Sequence, residues 1–191
     1  MSTVSVYKEW EEIPKLNEIG PTQKILLNLI ESGIIKKGKA LDLSCGTGKN
    51  AEFLIENGFE VDGVDLCYSL LENRQDQQGI KLPFKKEEFD FIFDLGCFEF
   101  VNIEDKPPLI HLVYDLLKDG GLFLLVYPLS DNLSIPNLLR EKQDLAYLTD
   151  YFKIKIIQHI PYIGLNDQVQ YLNVVLLEKR EELEPPEPSL I

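Results

Sequence analysis

Lys39-Ala-Leu-Asp-Leu-Ser-Cys-Gly-Thr-Gly-Lys-Asn50 carries the strongest structural signal in the chain. Ala40 to Leu43 reads as a short buried strand, and Cys45 to Gly48 is too rich in glycine to continue it. From Asn50, the apolar positions Phe53, Leu54 and Ile55 begin a helical run that ends near Gly58. Strand, glycine turn and helix together bring backbone close to a ligand and aim unpaired helix N–H groups at it. A second strand, Glu60-Val-Asp-Gly-Val64, ends in Asp65, the place from which a carboxylate grips ribose hydroxyls. The pattern is that of a nucleotide-type cofactor cleft. Gly46 and Gly48 are followed by Ala51 where a dinucleotide fingerprint wants a third glycine, a weak fit that leaves that reading open.

Outward from this stretch, the 191 residues suit one domain with a sizeable core. No apolar run approaches the roughly 20 residues needed to span a bilayer, and the N-terminus lacks the layout of a signal peptide. A cytoplasmic protein is expected. The net charge of −13 repels nucleic-acid backbones and anionic lipid, so neither is an expected partner. Lys36, Lys37 and Lys39 form one small basic cluster, read as a solvated helix end. Cys45, Cys67 and Cys97 are an odd number without metal-finger spacing, consistent with a reducing compartment. Each follows a presumed strand; they read as small hydrophobes, with a thiol cluster for a soft metal as the less favoured alternative. His111 and His159 sit in a helix and a late strand, so no metal site is assigned.

Three regions follow along the chain: a helical cap or lid over 1–38, a core over 39–180, and an acidic, proline-rich tail over 181–191. Tyr7, Trp10 and Ile13 form one stripe, either a lid over the substrate or aromatic anchors that dock the segment. Pro21 starts a helix whose apolar face is Ile25, Leu26, Leu29 and Ile30, ended by Gly33. Ser69 caps a short helix over 70–78. Phe89 to Asp94 and Leu122 to Tyr127 are continuously apolar, as buried parallel strands are. Between them lies an amphipathic helix that begins near Pro107 and ends at Asp119-Gly-Gly121. A further helix covers about 138–151, and Lys153–Ile160 with Gln170–Leu177 alternate as an antiparallel pair.

Leu41-Asp-Leu-Ser-Cys-Gly-Thr-Gly48 resembles motif I of the class I S-adenosylmethionine-dependent methyltransferases, written Leu-Asp-Leu-Gly-Cys-Gly-Thr-Gly. Gly58 to Asp65, Leu82-Pro-Phe84, Glu88-Phe-Asp90 and Leu117 to Leu122 look like later landmarks of that family. Asp94-Leu-Gly-Cys-Phe-Glu99 looks like the Asp-x-Gly-Cys-Phe-His of its small-molecule members related to thiopurine and tellurite-resistance methyltransferases. The resemblance implies a Rossmann-like α/β sheet with helices on both faces and an antiparallel last strand. It implies S-adenosylmethionine as cofactor, held by Asp42, Ser44, Cys45, Gly46, Gly48, Asp65, Leu66 and Cys97. It places Glu99, where relatives carry histidine, as a candidate catalytic group, its alternative being a surface carboxylate. Tyr7, Trp10, Phe98, Tyr127 and the Ser130-Asp-Asn132 loop are the expected walls of a small-molecule site.

Only 18 positions separate Asp65 from Pro83, too few for a helix and a full strand, so the third strand is expected to be missing or rudimentary. The loss exposes a sheet edge beside Val61 and Val64, across which a homodimer is a hypothesis. The rival function is a methyltransferase fold with an eroded cofactor site that binds a protein partner. A nicotinamide-dependent oxidoreductase ranks third and calls for an all-parallel sheet.

Overall fold

The structure, a computed structural model, describes residues 20–65, 82–128, 135–163 and 168–181. Tyr7, Trp10, Leu66, the helix expected over 70–78 and the Ser130–Asn132 loop lie outside the described residues. So does the segment read as lacking its third strand.

Helix α1 (Pro21–Glu31) begins with proline, whose missing N–H leaves no unsatisfied donor in a first turn. Strand β1 (Lys39–Asp42) leads through the glycine turn into α2 (Lys49–Glu56), and β2 (Glu60–Gly63) returns beside β1. Strand β3 (Phe89–Leu95) runs into a 3-10 turn, Phe98–Phe100, and then into α3 (Lys106–Leu116). Strand β4 (Leu117–Pro128), α4 (Ile135–Tyr151), β5 (Phe152–Ile163) and β6 (Val169–Lys179) complete the order. The six strands form one sheet in the order β2-β1-β3-β4-β6-β5. β1 is parallel to β2 and β3, β3 is parallel to β4, and β6 is antiparallel to both β4 and β5. The antiparallel β6 rules out the all-parallel sheet of the oxidoreductase reading.

Side chains alternate between two apolar layers, which is why the central strands are apolar throughout. Leu41, Ile92, Phe123, Leu125, Val175 and Leu177 pack with α3 and the end of α4. Ala40, Phe91, Phe93, Leu124, Val174 and Leu176 pack on the other face with α1 and α2. Each fully buried Leu or Phe contributes about 1.5–3 kcal/mol relative to exposure. Lys39, at the start of β1, ties the edge together through Asp62 at 3.1 Å and Glu88 at 2.6 Å.

The Asp119-Gly-Gly121 segment, expected to end a helix, is already part of β4. Helix α3 stops at Leu116, and Leu117 pairs with Phe89 before a register shift re-pairs Leu122 with Phe91. The bulge admits the extra residues, and glycine is needed there because backbone closes on itself. A Cβ at Gly121 would stand 2.8 Å from the Lys118 carbonyl oxygen. Gly121→Ala is therefore expected to lower unfolding free energy by about 1–3 kcal/mol, checked by denaturant melts against the wild type.

Candidate functional site

The carboxyl ends of β1, β2 and β3 lie side by side, and each has an aspartate within two residues of its end: Asp42, Asp65 and Asp94. Asp42 closes β1 with its side chain fully buried. Its Oδ1 accepts the Ser44 N–H at 3.1 Å, while Oδ2 has no hydrogen-bond partner among the described residues. Burial, with the nearby Asp94 and Asp65 charges added to it, pushes its carboxyl up to about 7. Asp94 stands on the neighbouring strand, 1% exposed. Its Oδ1 accepts three N–H groups, from Gly96 at 3.1 Å, Cys97 at 2.8 Å and Phe98 at 3.1 Å. Its Oδ2 also lacks a partner, and burial pushes this carboxyl up as well.

Two further contacts close the cleft. The Gly46 N–H donates to Asp65 Oδ2 at 3.1 Å, and Ser44 and Asp65 form an isolated antiparallel bridge. The Ser44 hydroxyl accepts the Leu95 N–H at 2.9 Å, so the residue that replaces a family glycine stitches the β1 turn to the end of β3. Gly46 and Gly48 hold φ of 46° and 81°, and Gly96 holds 116°, conformations that glycine adopts at little strain. A Cβ at any of the three would meet nothing within 4 Å, so the turn backbones face open space. Gly48 is the N-cap of α2 and adds no side-chain cap, which leaves the helix's first N–H groups for a ligand.

This donor set fits a cofactor that carries cationic and anionic groups together. The unpartnered Asp42 and Asp94 oxygens favour ammonium and sulfonium charge, Asp65 suits ribose hydroxyls, and the amino end of α2 suits a carboxylate.

Of the residues read from the sequence, Asp42, Ser44, Cys45, Gly46, Gly48, Asp65 and Cys97 converge at these strand ends. Cys45 is free, its thiol pushed up by burial and by Asp42 and Asp65. Cys97 is buried and disulfide-bonded, which differs from the reading of free thiols. An odd number of cysteines does not say which of them the fold brings together. Glu99 lies half-buried in the 3-10 turn beyond Gly96. Phe98 points into the core, where Lys106 Nζ sits 4.5 Å from its ring centroid, so Glu99 and Phe100 are the members of the turn that reach the surface. Tyr127, one residue before the end of β4, is half-buried against the α3-side core.

The sequence reading missed Asp94 as a site residue, the Ser44 hydroxyl contact and Lys106. Asp94 had a signal, being the second aspartate at the end of an apolar strand. Lys106 had none: its fully buried ammonium is paired with Asp144, 38 residues away.

The buried carboxyl of Asp42 makes stability depend on pH with a definite sign. Between about pH 4 and 7 this carboxyl binds a proton in the folded state that it lacks in the unfolded chain, so its contribution to stability falls as pH rises through this window. Asp42→Asn is expected to be more stable than wild type by about 1–3 kcal/mol above pH 7 and to lose that advantage near pH 4, checked by melts at both ends.

The methyltransferase domain family matches residues 19–173. Thiocyanate methyltransferase 1 of Brassica oleracea is 29% identical over 140 residues, which are 65% of this chain and 62% of that protein. The probable S-adenosyl-L-methionine-dependent methyltransferase TehB of Haemophilus influenzae is 28% identical over 116 residues, 54% of this chain and 41% of its own. The chain spans between 44% and 64% of the length of the first curated relatives it matches. Among solved structures, the Burkholderia thailandensis 1,6-didemethyltoxoflavin-N1-methyltransferase has the same fold, with a TM-score of 0.60 at 20% identity. That likeness covers 84% of this chain and 77% of the neighbour, whose structure holds S-adenosylhomocysteine. The match over most of the described fold places the chain in the methyltransferase domain family.

Proposed function

We propose that this protein transfers the methyl group of S-adenosylmethionine to a small molecule. The observation that carries the reading is the convergence of two buried, half-satisfied carboxylates, Asp42 and Asp94, with Asp65 around an open glycine turn. Such a constellation is costly for the ligand-free fold, and a cationic ligand offsets that cost.

Asp65 accepts the ribose hydroxyls, with Leu66 beside the adenine. The backbone of Cys45, Gly46 and Gly48 and the amino end of α2 hold the carboxylate of the cofactor's amino-acid end. Asp42 supports its ammonium, and Asp94 keeps the Gly96–Phe98 backbone in place beside it. The bound cofactor supplies an electrophilic methyl group, and catalysis of its in-line displacement rests mainly on positioning. Glu99 faces the acceptor, taking its proton or holding a cationic amine. Tyr7, Trp10 and Tyr127 wall the acceptor side. Relatives named for thiocyanate and thiols make small sulfur nucleophiles the first acceptors to try.

No helix among the described residues is long and apolar enough to cross a membrane. The β2 edge carries Glu60 and Asp62, and these carboxylates work against a second copy pairing there. A monomeric mass by light scattering is the expected outcome.

Calorimetric titration with S-adenosylhomocysteine tests the reading. Wild type is expected to bind at micromolar Kd, and Asp65→Ala to lose about 2 kcal/mol, near thirtyfold. Glu99→Gln is expected to keep that affinity while methyl transfer slows. Well-folded wild type that binds neither S-adenosylmethionine nor its product overturns the proposal.

A further inference from the structure

Lys106 is the first residue of α3, and its side chain is shut off from solvent. Stability alone does not call for an ammonium at this position. The first turn of a helix carries the positive end of its dipole, which disfavours a cation. Taking the charge out of water is costly, and apolar side chains of similar volume are often as stabilising as a buried pair. The pair is also incomplete. Asp144 on α4 meets the Lys106 ammonium with Oδ2, while its buried Oδ1 has no hydrogen-bond partner among the described residues.

What the pair reaches is the turn that follows β3. The Lys106 ammonium lies 4.5 Å from the centroid of the Phe98 ring, itself 3% exposed. A desolvated ammonium over an aromatic face is a directional contact, so it fixes the ring where an aliphatic neighbour would only fill space. The Phe98 backbone continues the path. Its N–H donates to Asp94 Oδ1 at 3.1 Å, and its carbonyl accepts the Val101 N–H at 3.3 Å. Pro107 and Pro108 hold the other end, because they restrict the backbone from which the Lys106 side chain leaves. Asp144, Lys106, Phe98 and Asp94 thus form a continuous chain of contacts from α4 to the end of β3.

We propose that Lys106 and Asp144 are positioning residues for methyl transfer, holding the Cys97–Phe100 turn in the shape that receives the cofactor and presents Glu99. The pair acts through Phe98 and Asp94 rather than by contact with either reactant. This role rests on the proposed cofactor chemistry.

Lys106→Met/Asp144→Leu replaces the pair with apolar side chains of similar size. In denaturant melts it is expected to match or exceed the wild type in stability. Amide hydrogen exchange at Cys97, Phe98, Phe100 and Val101 is nonetheless expected to quicken roughly tenfold, the scale of a desolvated cation–π contact. The Leu43 amide, bonded to the Phe93 carbonyl, is expected to keep its rate. Calorimetric affinity for S-adenosylhomocysteine is expected to fall roughly threefold to thirtyfold. Asp144→Asn keeps an oxygen for the ammonium and is expected to lie between the two proteins on both readouts, which decides the matter should the double variant not fold. Unchanged turn exchange, unchanged affinity, or changes in both that only track lost stability each overturn the proposal. Well-folded wild type that binds no S-adenosylhomocysteine overturns instead the cofactor chemistry on which this role rests.

Discussion

Two buried carboxylates at the ends of neighbouring parallel strands govern the whole site. Asp42 and Asp94 each use one oxygen to organise the backbone that follows its strand. The Asp94 carboxylate gathers three consecutive N–H groups, which fixes the β3 turn tightly. Yet each leaves its second oxygen buried and unpartnered, an arrangement that stability alone does not favour. Burial disfavours the charged form of both carboxyls, with Asp94 and Asp65 repelling Asp42 and Asp65 repelling Asp94, so a cation is their natural complement. Stability is traded for a prepared binding surface.

The sheet makes this placement possible. In a parallel arrangement with both faces covered, the only exits for polar groups are the strand ends, and the carboxyl ends of β1, β2 and β3 open together. The two apolar layers hold β1 and β3 in fixed register, so Asp42 and Asp94 cannot move apart to relieve their charge. The Ser44 hydroxyl reinforces the same junction from the turn side. At the opposite ends of the strands, ion pairs do the corresponding work: Asp90 accepts the Lys39 N–H at 2.8 Å while holding Lys118.

Cations inside the fold show how burial is made tolerable. Lys106 is fully enclosed, with Asp144 for charge and the Phe98 ring beneath its ammonium. Lys179, 4% exposed at its side chain, donates to the Leu117 carbonyl at 2.6 Å and lies 4.7 Å from the Tyr114 ring centroid. Lys106 draws a carboxylate and a ring, and Lys179 a carbonyl, carboxylates and a ring, from several elements, as a desolvated ammonium requires. Lys106 thus links α3 to α4 and the 3-10 turn, and Lys179 links β6 to β4 and α3.

Elements with local causes were legible in the amino-acid order alone. Apolar continuity marked β3 and β4, proline and glycine bounded α1, and the Leu41–Gly48 run marked a strand, a glycine turn and a helix start. These readings hold because strand burial, turn conformation and helix starts depend on residues a few positions apart. Which polar groups would meet was settled instead by the folded arrangement. The Ser44 hydroxyl finds Leu95 across 51 positions, and Lys106 finds Asp144 across 38. The fold also moved Asp119–Gly121 from a helix end into a bulged strand, because the pairing of Leu117 with Phe89 outweighs the local glycine signal. Partner choice over such separations is set by sheet register and layer packing, which no short pattern encodes.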